Sequence, residues 1–328
     1  MKARGLFAEQ PLDVSKLPSF RAEHFPYSGP YPWLDQPDAL ARIERKLEQR
    51  ALTPREAEQC RHWSERGYIV VRNLIDEPIL DAVWAAYENT VKAGRLALPA
   101  DPAGEGDLYP GRCLNPHKKC GEFCRILKHP GLLGWIRLLM EREPRPLQTI
   151  TSHKGSQQAL HSDSIHMTTY PLGYLTAAWI AFEDIHPDSG PLVYYPGSHK
   201  LPYVFSKDAG ISESDYKANG YAAYQEKYEP HIRELVREHG LRPAYFHARK
   251  GDVLIWHANL VHGGSQRNNL QLSRRALVCH FFVKGSFVYH DLAAARSRQQ
   301  YMGTCLLRDD AGRINLPAAL RRGRTRAC

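Results

Sequence analysis

The sequence predicts a mainly β fold that is decorated by helices, and two patterns lead to this expectation. From Leu147 onwards, short runs of β-forming residues recur between turn signals, as an antiparallel barrel or sandwich requires. Before Leu147 the apolar residues recur at helical spacing, so we expect helices there that pack against one sheet and brace it. No repeat of solenoid period is visible in the sequence.

Start and stop signals place the elements of the N-terminal part. Thr53 and Glu56 form a capping box around Pro54, which is typical of a helix start, and Gly67 is typical of a helix end. The β-branched run that follows Gly67, YIVVRNLI, predicts a strand. Helices are predicted over residues 39–50, 53–66, 76–94 and 122–140, the last interrupted at Pro130.

The C-terminal part contains strands and one long polar interruption. Residues 175–200 read as a strand, an acidic turn, a second strand and a Pro-Gly-Ser turn, and KGDVLIWH predicts a further strand. Between them, residues 201–247 are polar and helical in pattern. An insertion of this size between two core strands, near the mouth of a barrel, predicts a lid, and the alternative is a solvated surface helix with no role in the site.

Composition and charge exclude several classes of protein. Of the 328 residues 43% are apolar and 24% are charged, which is ordinary for a globular protein, and no stretch approaches the ~20 apolar residues of a membrane span. The N-terminus lacks a signal-peptide core and the seven cysteines are odd in number and scattered, so we expect a cytoplasmic location. The net charge of +9 favours an anionic small-molecule substrate. Nucleic acid is disfavoured, because aromatic residues do not alternate with basic ones.

Three residues of metal-binding types stand in an informative order. His161 and Asp163 are separated by one residue, and His262 lies far downstream. On a strand, residues i and i+2 point to the same side, so His161 and Asp163 can reach one ion if a distant strand folds alongside to supply the third ligand. Two imidazoles and one carboxylate occupy one face of an octahedral metal and leave the opposite positions open, as in non-haem Fe(II) oxygenases.

Taken together, the motifs resemble those of the phytanoyl-CoA dioxygenase family of Fe(II)/2-oxoglutarate-dependent oxygenases. The resemblance runs from about Gly67 to about Val283. The matching residues are His161 and Asp163, Trp179, the sequence Pro196-Gly197-Ser198-His199, Gly251-Asp252, His262 with the Gly-Ser that follows it, and Arg274.

The resemblance implies a fold and a role for each matching residue. It implies a double-stranded β-helix core, jelly-roll and cupin-like, with His161, Asp163 and His262 as the iron ligands. Arg274 would hold the distal carboxylate of the cosubstrate 2-oxoglutarate, because a guanidinium binds a carboxylate through two parallel hydrogen bonds. Ser265 and Trp179 would line the cosubstrate pocket, and Arg112 would lie beside it.

Three points in this assignment stay open in the sequence. His257 is an alternative to His262, which is favoured because the Gly-Ser and the arginine follow it. The family commonly has one glycine between the distal histidine and the serine, whereas this chain has two, so Arg275 is an alternative to Arg274. The strand PLQTITS should also contact the cosubstrate, through Gln148, Thr149 or Thr151.

The implied organisation is a single domain over residues 1–328. Residues 1–146 would form a helical support with one or two strands. Residues 147–290 would form the jelly-roll core, with residues 201–247 as a lid-like insertion, and residues 291–328 a basic C-terminal extension.

The implied activity is the hydroxylation of an unactivated C–H bond of a small molecule, with O2 as the oxidant and with release of succinate and CO2. Related halogenases replace the carboxylate ligand by a small residue, so the presence of Asp163 favours hydroxylation, or another oxidation such as desaturation, over halogenation. The alternatives are a non-oxidative cupin-type metal-binding protein and a metal-dependent hydrolase or isomerase. Neither needs a clamp such as Arg274 for a cosubstrate.

Overall fold

An antiparallel six-stranded sheet forms the centre of the fold. The computed structural model describes residues 21–24, 31–96 and 112–293. Within these residues the order of the strands in the sheet is β1-β8-β5-β10-β3-β2. Their bounds are Tyr68–Val71 (β1), Arg112–Leu114 (β2), Pro144–Ser152 (β3), Leu175–Ala181 (β5), Val253–His257 (β8) and Ala276–Val283 (β10).

Two smaller sheets face the large one. One pairs β7 (Ala244–Tyr245), β6 (Leu192–Tyr194) and β9 (His262–Gly264), and the other pairs β11 (Phe287–Tyr289) with β4 (Thr168–Tyr170). Leu192 and Tyr194 pack with Trp179 and Trp256 in one apolar cluster, which fills the space between the layers. The expected mainly β, jelly-roll architecture is therefore confirmed.

In the part of the chain that the structure describes, five N-terminal α-helices cover the outer face of the large sheet. They are α1 (Ala39–Glu48), α2 (Pro54–Arg66), α3 (Glu77–Lys92), α4 (Phe123–Leu127) and α5 (Pro130–Met140). Strand β5 is buried on both faces: Trp179 faces the inner cluster, while Ala178 and Ile180 pack against the helices. The helices thus brace the sheet that carries the site, as predicted.

The predicted helix boundaries agree with the structure to within about two residues. The capping box is present, since the Glu56 N–H donates to Thr53 Oγ1 at 3.2 Å and the Thr53 N–H donates to Glu56 Oε2 at 2.8 Å. Gly67 ends this helix with φ +80°, a conformation in which its missing Cβ matters, and a Cβ there would lie 2.5 Å from the His199 ring. Pro130 does not merely interrupt a helix but begins α5.

The insertion packs against the loop that follows β3. It contains α6 (Glu213–Asn219), α7 (Tyr221–Ala223), a π-helical turn (Tyr224–Tyr228) and α8 (Glu229–Glu238). Its apolar face, including Tyr224, Tyr228 and Ile232, is buried with Ile165 and Val261. The insertion therefore rests on the two segments that carry His161, Asp163 and His262, and its role as a lid stays a prediction.

Two further expectations from the sequence were a basic C-terminal extension and the lack of a membrane span. Beyond residue 293, the basic extension lies outside the residues that the structure describes. Among the helices that the structure describes, none has the length and apolar character needed to cross a membrane.

Candidate active site

His161, Asp163 and His262 come together as one buried cluster. His161 and His262 exchange both backbone hydrogen bonds, each at 2.9 Å, so this short antiparallel bridge holds the two residues side by side. Asp163 begins a 3-10 turn, Asp163–Ile165, rather than continuing a strand. The potential ligand atoms of the three side chains all lie within 4.8 Å of one another. The sequence had predicted this grouping on the assumption of a strand, and a bridge followed by a turn achieves it instead.

Both histidines are oriented by backbone carbonyls. Nδ1 of His161 donates to the Ala159 carbonyl at 2.9 Å, and Nδ1 of His262 donates to the Leu260 carbonyl at 2.9 Å. Because a carbonyl only accepts, each ring carries its proton on Nδ1 and presents the lone pair of Nε2. Burial lowers the pKa of both imidazoles, so they are neutral near pH 7. Both rings therefore have the protonation state that a metal ligand needs.

Asp163 is an oriented, ionised carboxylate. Its Oδ2 accepts a hydrogen bond of 2.9 Å from the indole N–H of Trp256. Its Oδ1 lies 3.8 Å from Nε2 of His262 and 3.5 Å from Nε2 of His280. Burial by itself would raise the pKa of Asp163, but the surrounding histidines outweigh it and lower the pKa. Oδ1 is thus the oxygen that faces the other two candidate ligands.

Arg274 is a buried cation with spare hydrogen-bonding capacity. Its Nη1 donates to the Gly190 carbonyl at 3.2 Å and its Nη2 to Ser152 Oγ at 3.0 Å, whereas its buried Nε has no partner among the described residues. Burial, together with the charges of Arg112 and Arg267, lowers the pKa of Arg274 to about 10. A buried guanidinium without a carboxylate partner is the arrangement expected where an anionic ligand completes the site.

His257 and Arg275, the two alternatives that the sequence left open, lie outside this site. His257 directs Nε2 towards Asp35 Oδ2 at 3.1 Å, and its Nδ1 accepts from the Asn259 N–H at 3.0 Å. Arg275 faces Glu183, with Nε 3.6 Å from Oε2. Neither residue lines the cavity that His161, Asp163, His262 and Arg274 share.

That cavity has a volume of about 480 Å³, within the range of small-molecule sites. Trp179 lines it, and the Arg274 guanidinium carbon lies 5.7 Å from the centre of the Trp179 ring. Arg112 also lines it and pairs with Ser152 across β2 and β3. Trp179 and Arg112, both predicted to lie at the cosubstrate pocket, therefore line the same cavity as His161, Asp163 and His262.

Ser265 contacts the segment that also binds Arg274. It does not line the cavity; its Oγ donates to the Pro191 carbonyl at 2.7 Å, next to the Gly190 carbonyl that Arg274 binds. On β3, Gln148 faces the cavity, whereas Thr149 points away and contacts His117 Nδ1 at 2.6 Å. A direct contact between Ser265 and the cosubstrate stays a prediction.

Sequence reasoning missed several residues of the site. Trp256 holds Asp163, His280 lies beside it, and Gln158 Nε2 is 3.1 Å from Nε2 of His161. His280 had a usable signal, since it is the one histidine in the otherwise apolar run ALVCHFFV. Trp256 had none, because indoles in apolar strands are usually core residues.

The chain is similar in sequence to proteins of one known family. A sequence model of the family described as Phytanoyl-CoA dioxygenase (PhyH) matches residues 63–276, more than half of the chain. The protein of Mus musculus named "Phytanoyl-CoA dioxygenase, peroxisomal" is 26% identical over 249 residues, which are 68% of this chain and 67% of that protein. Its Homo sapiens counterpart is 25% identical over the same shares.

Solved structures share the fold. The non-heme alpha ketoglutarate dependent carbocyclase SnoK from nogalamycin biosynthesis has a TM-score of 0.55 at 19% identity, covering 74% of this chain and 88% of that one. EctD from S. alaskensis, solved with 2-oxoglutarate and 5-hydroxyectoine, has a TM-score of 0.55 at 19% identity, covering 82% and 86%. On the strength of the family match, the chain belongs to the phytanoyl-CoA dioxygenase family of Fe(II)/2-oxoglutarate-dependent oxygenases.

Proposed function

We propose that this enzyme hydroxylates a C–H bond of a small molecule, with His161, Asp163 and His262 as the ligands of Fe(II). The observation that carries the proposal is the donor set itself: two neutral imidazoles that present Nε2 and one ionised carboxylate, all within 4.8 Å. This set fits the facial arrangement of non-haem iron. The hydrogen bonds from Trp256 and to the two carbonyls supply the outer support that such ligands need.

Arg274 fits the distal carboxylate of 2-oxoglutarate. Its unpartnered Nε is a buried donor that a carboxylate oxygen would satisfy. Ser152 and the Gly190 carbonyl hold the rest of the guanidinium, so the arginine is oriented before any ligand arrives. Trp179 lines this end of the cavity beside the Arg274 guanidinium. Arg112 is the second cation available beside the cosubstrate.

Fe(II) held by the triad would supply the activation of O2, coupled to the conversion of 2-oxoglutarate to succinate and CO2. The residues of the protein orient the substrate and shield the site from water. Asp163 occupies the third ligand position, so no site for a halide is left there, which favours hydroxylation. A cytoplasmic location belongs to the same proposal and rests on the odd, scattered cysteines.

The test is a screen of candidate small molecules with purified protein, Fe(II), 2-oxoglutarate and O2, scored by succinate and by the mass of the product. We expect succinate in step with a product heavier by one oxygen atom. His161→Ala and Asp163→Ala should abolish both signals, while His247→Ala, at an exposed histidine outside the cavity, should retain them. Turnover without O2 would support the hydrolase or isomerase alternative. Metal binding without any consumption of 2-oxoglutarate would support a binding protein.

A further inference from the structure

The cavity extends past the triad into a second polar region. This region, the imidazole subsite, is formed by Arg112, His166, Tyr221 and His290. Arg274 precedes the start of β10, whereas His290 follows β11 beyond the other end of β10. His290 therefore lies apart from the pocket assigned to 2-oxoglutarate, whereas Arg112, which pairs with Ser152, lies between that pocket and the histidines. What the imidazole subsite binds is inferred on the basis of the proposed oxygenase function.

The two histidines of the subsite offer hydrogen bonds that the protein does not use. The His166 and His290 rings lie 5.3 Å apart at 67°, and Tyr221 stacks over His166 at 6.0 Å. Nδ1 of His290 accepts from the Ala293 N–H at 3.2 Å, so its Nε2 carries the proton and can donate. Nε2 of His166 is buried and has no partner among the described residues. Buried polar atoms normally have partners, so a polar ligand group is expected here.

The balance of charge in the cavity gives the sign of that group. Asp163 is the one carboxylate among the described lining residues, and Arg112 and Arg274 are the two arginines. With the triad and cosubstrate site filled, Fe(II) and Arg274 are neutralised by Asp163 and the two carboxylates of 2-oxoglutarate. The charge of Arg112 is left over, and Arg112 has no salt-bridge partner among the described residues.

Arg112 is placed to act on the imidazole subsite. Arg112 lines the same cavity as His166, Tyr221 and His290. Its charge also contributes to lowering the pKa of His166, after the larger effect of burial. Burial lowers the pKa of His166 to about 3 and that of His290 to about 4, so both rings are neutral donors near pH 7. One cation flanked by neutral N–H donors suits an oxyanion.

We propose that the substrate is a small organic anion whose acid group, a carboxylate or a phosphate, binds Arg112 with His166 and His290 as additional hydrogen-bonding partners. Its carbon skeleton then extends from this anchor towards the triad, beside Tyr221, Met167 and Val288. A long apolar acyl chain fits poorly, because it would bury two imidazoles and an arginine without partners. The cavity of about 480 Å³ is likewise suited to a compact molecule.

The experiment measures binding by saturation-transfer NMR to protein loaded with 2-oxoglutarate and with Zn(II), a diamagnetic substitute for iron. The probes are matched pairs: small carboxylic acids with their primary amides, and phosphate monoesters with their parent alcohols. We expect the anionic member of at least one series to bind at least about tenfold more tightly than its neutral partner. The two series distinguish a carboxylate from a phosphate substrate.

Variants show whether the named residues cause the preference. Arg112→Gln should remove the preference for anions and His290→Gln should weaken it several-fold. Arg242→Gln, at an exposed arginine outside the cavity, is the matched control and should leave it unchanged. The proposal is overturned if acids and amides bind equally, if no probe binds, or if Arg112→Gln weakens only 2-oxoglutarate and keeps the preference.

A parallel assay with Fe(II) separates this proposal from the function on which it rests. Anion preference without any consumption of 2-oxoglutarate would contradict the oxygenase function alone. Consumption of 2-oxoglutarate with neutral molecules as the preferred substrates would contradict the anion proposal alone.

Discussion

Trp256 and Asp163 are joined by a hydrogen bond of 2.9 Å from the indole N–H to Oδ2, in the interior of the protein. Trp256 lies on β8 and Asp163 begins the 3-10 turn after His161. The bond fixes the rotation of the carboxylate and leaves Oδ1 facing His262. It makes Trp256 a positioning residue for the proposed metal centre, at a place where an indole would otherwise be taken for part of the apolar core.

Trp256→Phe should therefore weaken metal binding while it leaves the fold in place. Phenylalanine fills most of the volume but cannot donate, so Asp163 loses its orientation, and such outer-layer changes cost about 10–100-fold in metal affinity. Anaerobic calorimetry with Fe(II) measures the change. Trp135→Phe, on α5 and outside the cavity, is the control and should bind as the wild type does. Equal affinities in both variants would show that Asp163 is held by other contacts.

The neighbouring arginines provide a matched test of the cosubstrate clamp. Arg274 is 4% exposed and faces the cavity, whereas Arg275 pairs with Glu183 outside it. Arg274→Lys keeps the charge but loses the planar fork, and hydrogen bonds between charged groups are worth about 1.5–3 kcal/mol, so the KM for 2-oxoglutarate should rise about 10–100-fold. Arg275→Lys should leave this KM unchanged. The reverse result would show that Arg275, and not Arg274, binds the distal carboxylate of 2-oxoglutarate.

The two candidate distal ligands can be separated in the same way. His262→Gln removes Nε2 from the triad and should abolish Fe(II) binding in calorimetry. His257→Gln should keep Fe(II) binding but lower the free energy of unfolding by about 1–3 kcal/mol, because the contact with Asp35 is lost. Urea denaturation of the metal-free variants measures this second effect. Loss of iron in His257→Gln alone would reverse the assignment.

The sequence was sufficient for the outline of the fold and for the choice of the candidate ligands. The capping box at Thr53 and Gly67 at the helix end are local signals, and the structure contains both. The His-x-Asp pair was also found locally, although Asp163 lies in a turn and not on a strand. Contacts such as Trp256 with Asp163 join residues 93 positions apart. They depend on strand order and register, which the pattern of a single strand does not contain.

The register of β3 shows the same limit. Gln148, Thr149 and Thr151 were equivalent candidates in the sequence, because all three are polar residues in one strand. The pairing of β3 with β10 turns Gln148, Ile150 and Ser152 towards the cavity. Ser152, which holds Arg274, was thereby missed.

Buried histidines outside the triad predict a stability that depends on pH. His199 is 8% exposed and packs against Gly67 at the end of α2. Burial, and to a lesser extent His257, lowers the pKa of His199 to about 3. In the unfolded chain a histidine has a pKa of about 6.5, so between these two values the unfolded state binds the additional proton. Stability is therefore fully present above about pH 6.5 and is lost as the pH falls towards 3.

The free energy of unfolding of the metal-free protein should thus fall below pH 6.5. Each such histidine contributes a slope of about 1.4 kcal/mol per pH unit, and His166 and His290, whose pKa values burial also lowers, add to it. Urea denaturation between pH 7.5 and 5, with a chelator present, measures the slope. His199→Gln cannot take up this proton, so the slope of its free energy of unfolding against pH should be smaller by about 1.4 kcal/mol per pH unit, the contribution of one proton. A slope that is identical in the variant and the wild type would mean that His199 is protonated equally in the folded and unfolded states, and that its burial does not exclude the charge.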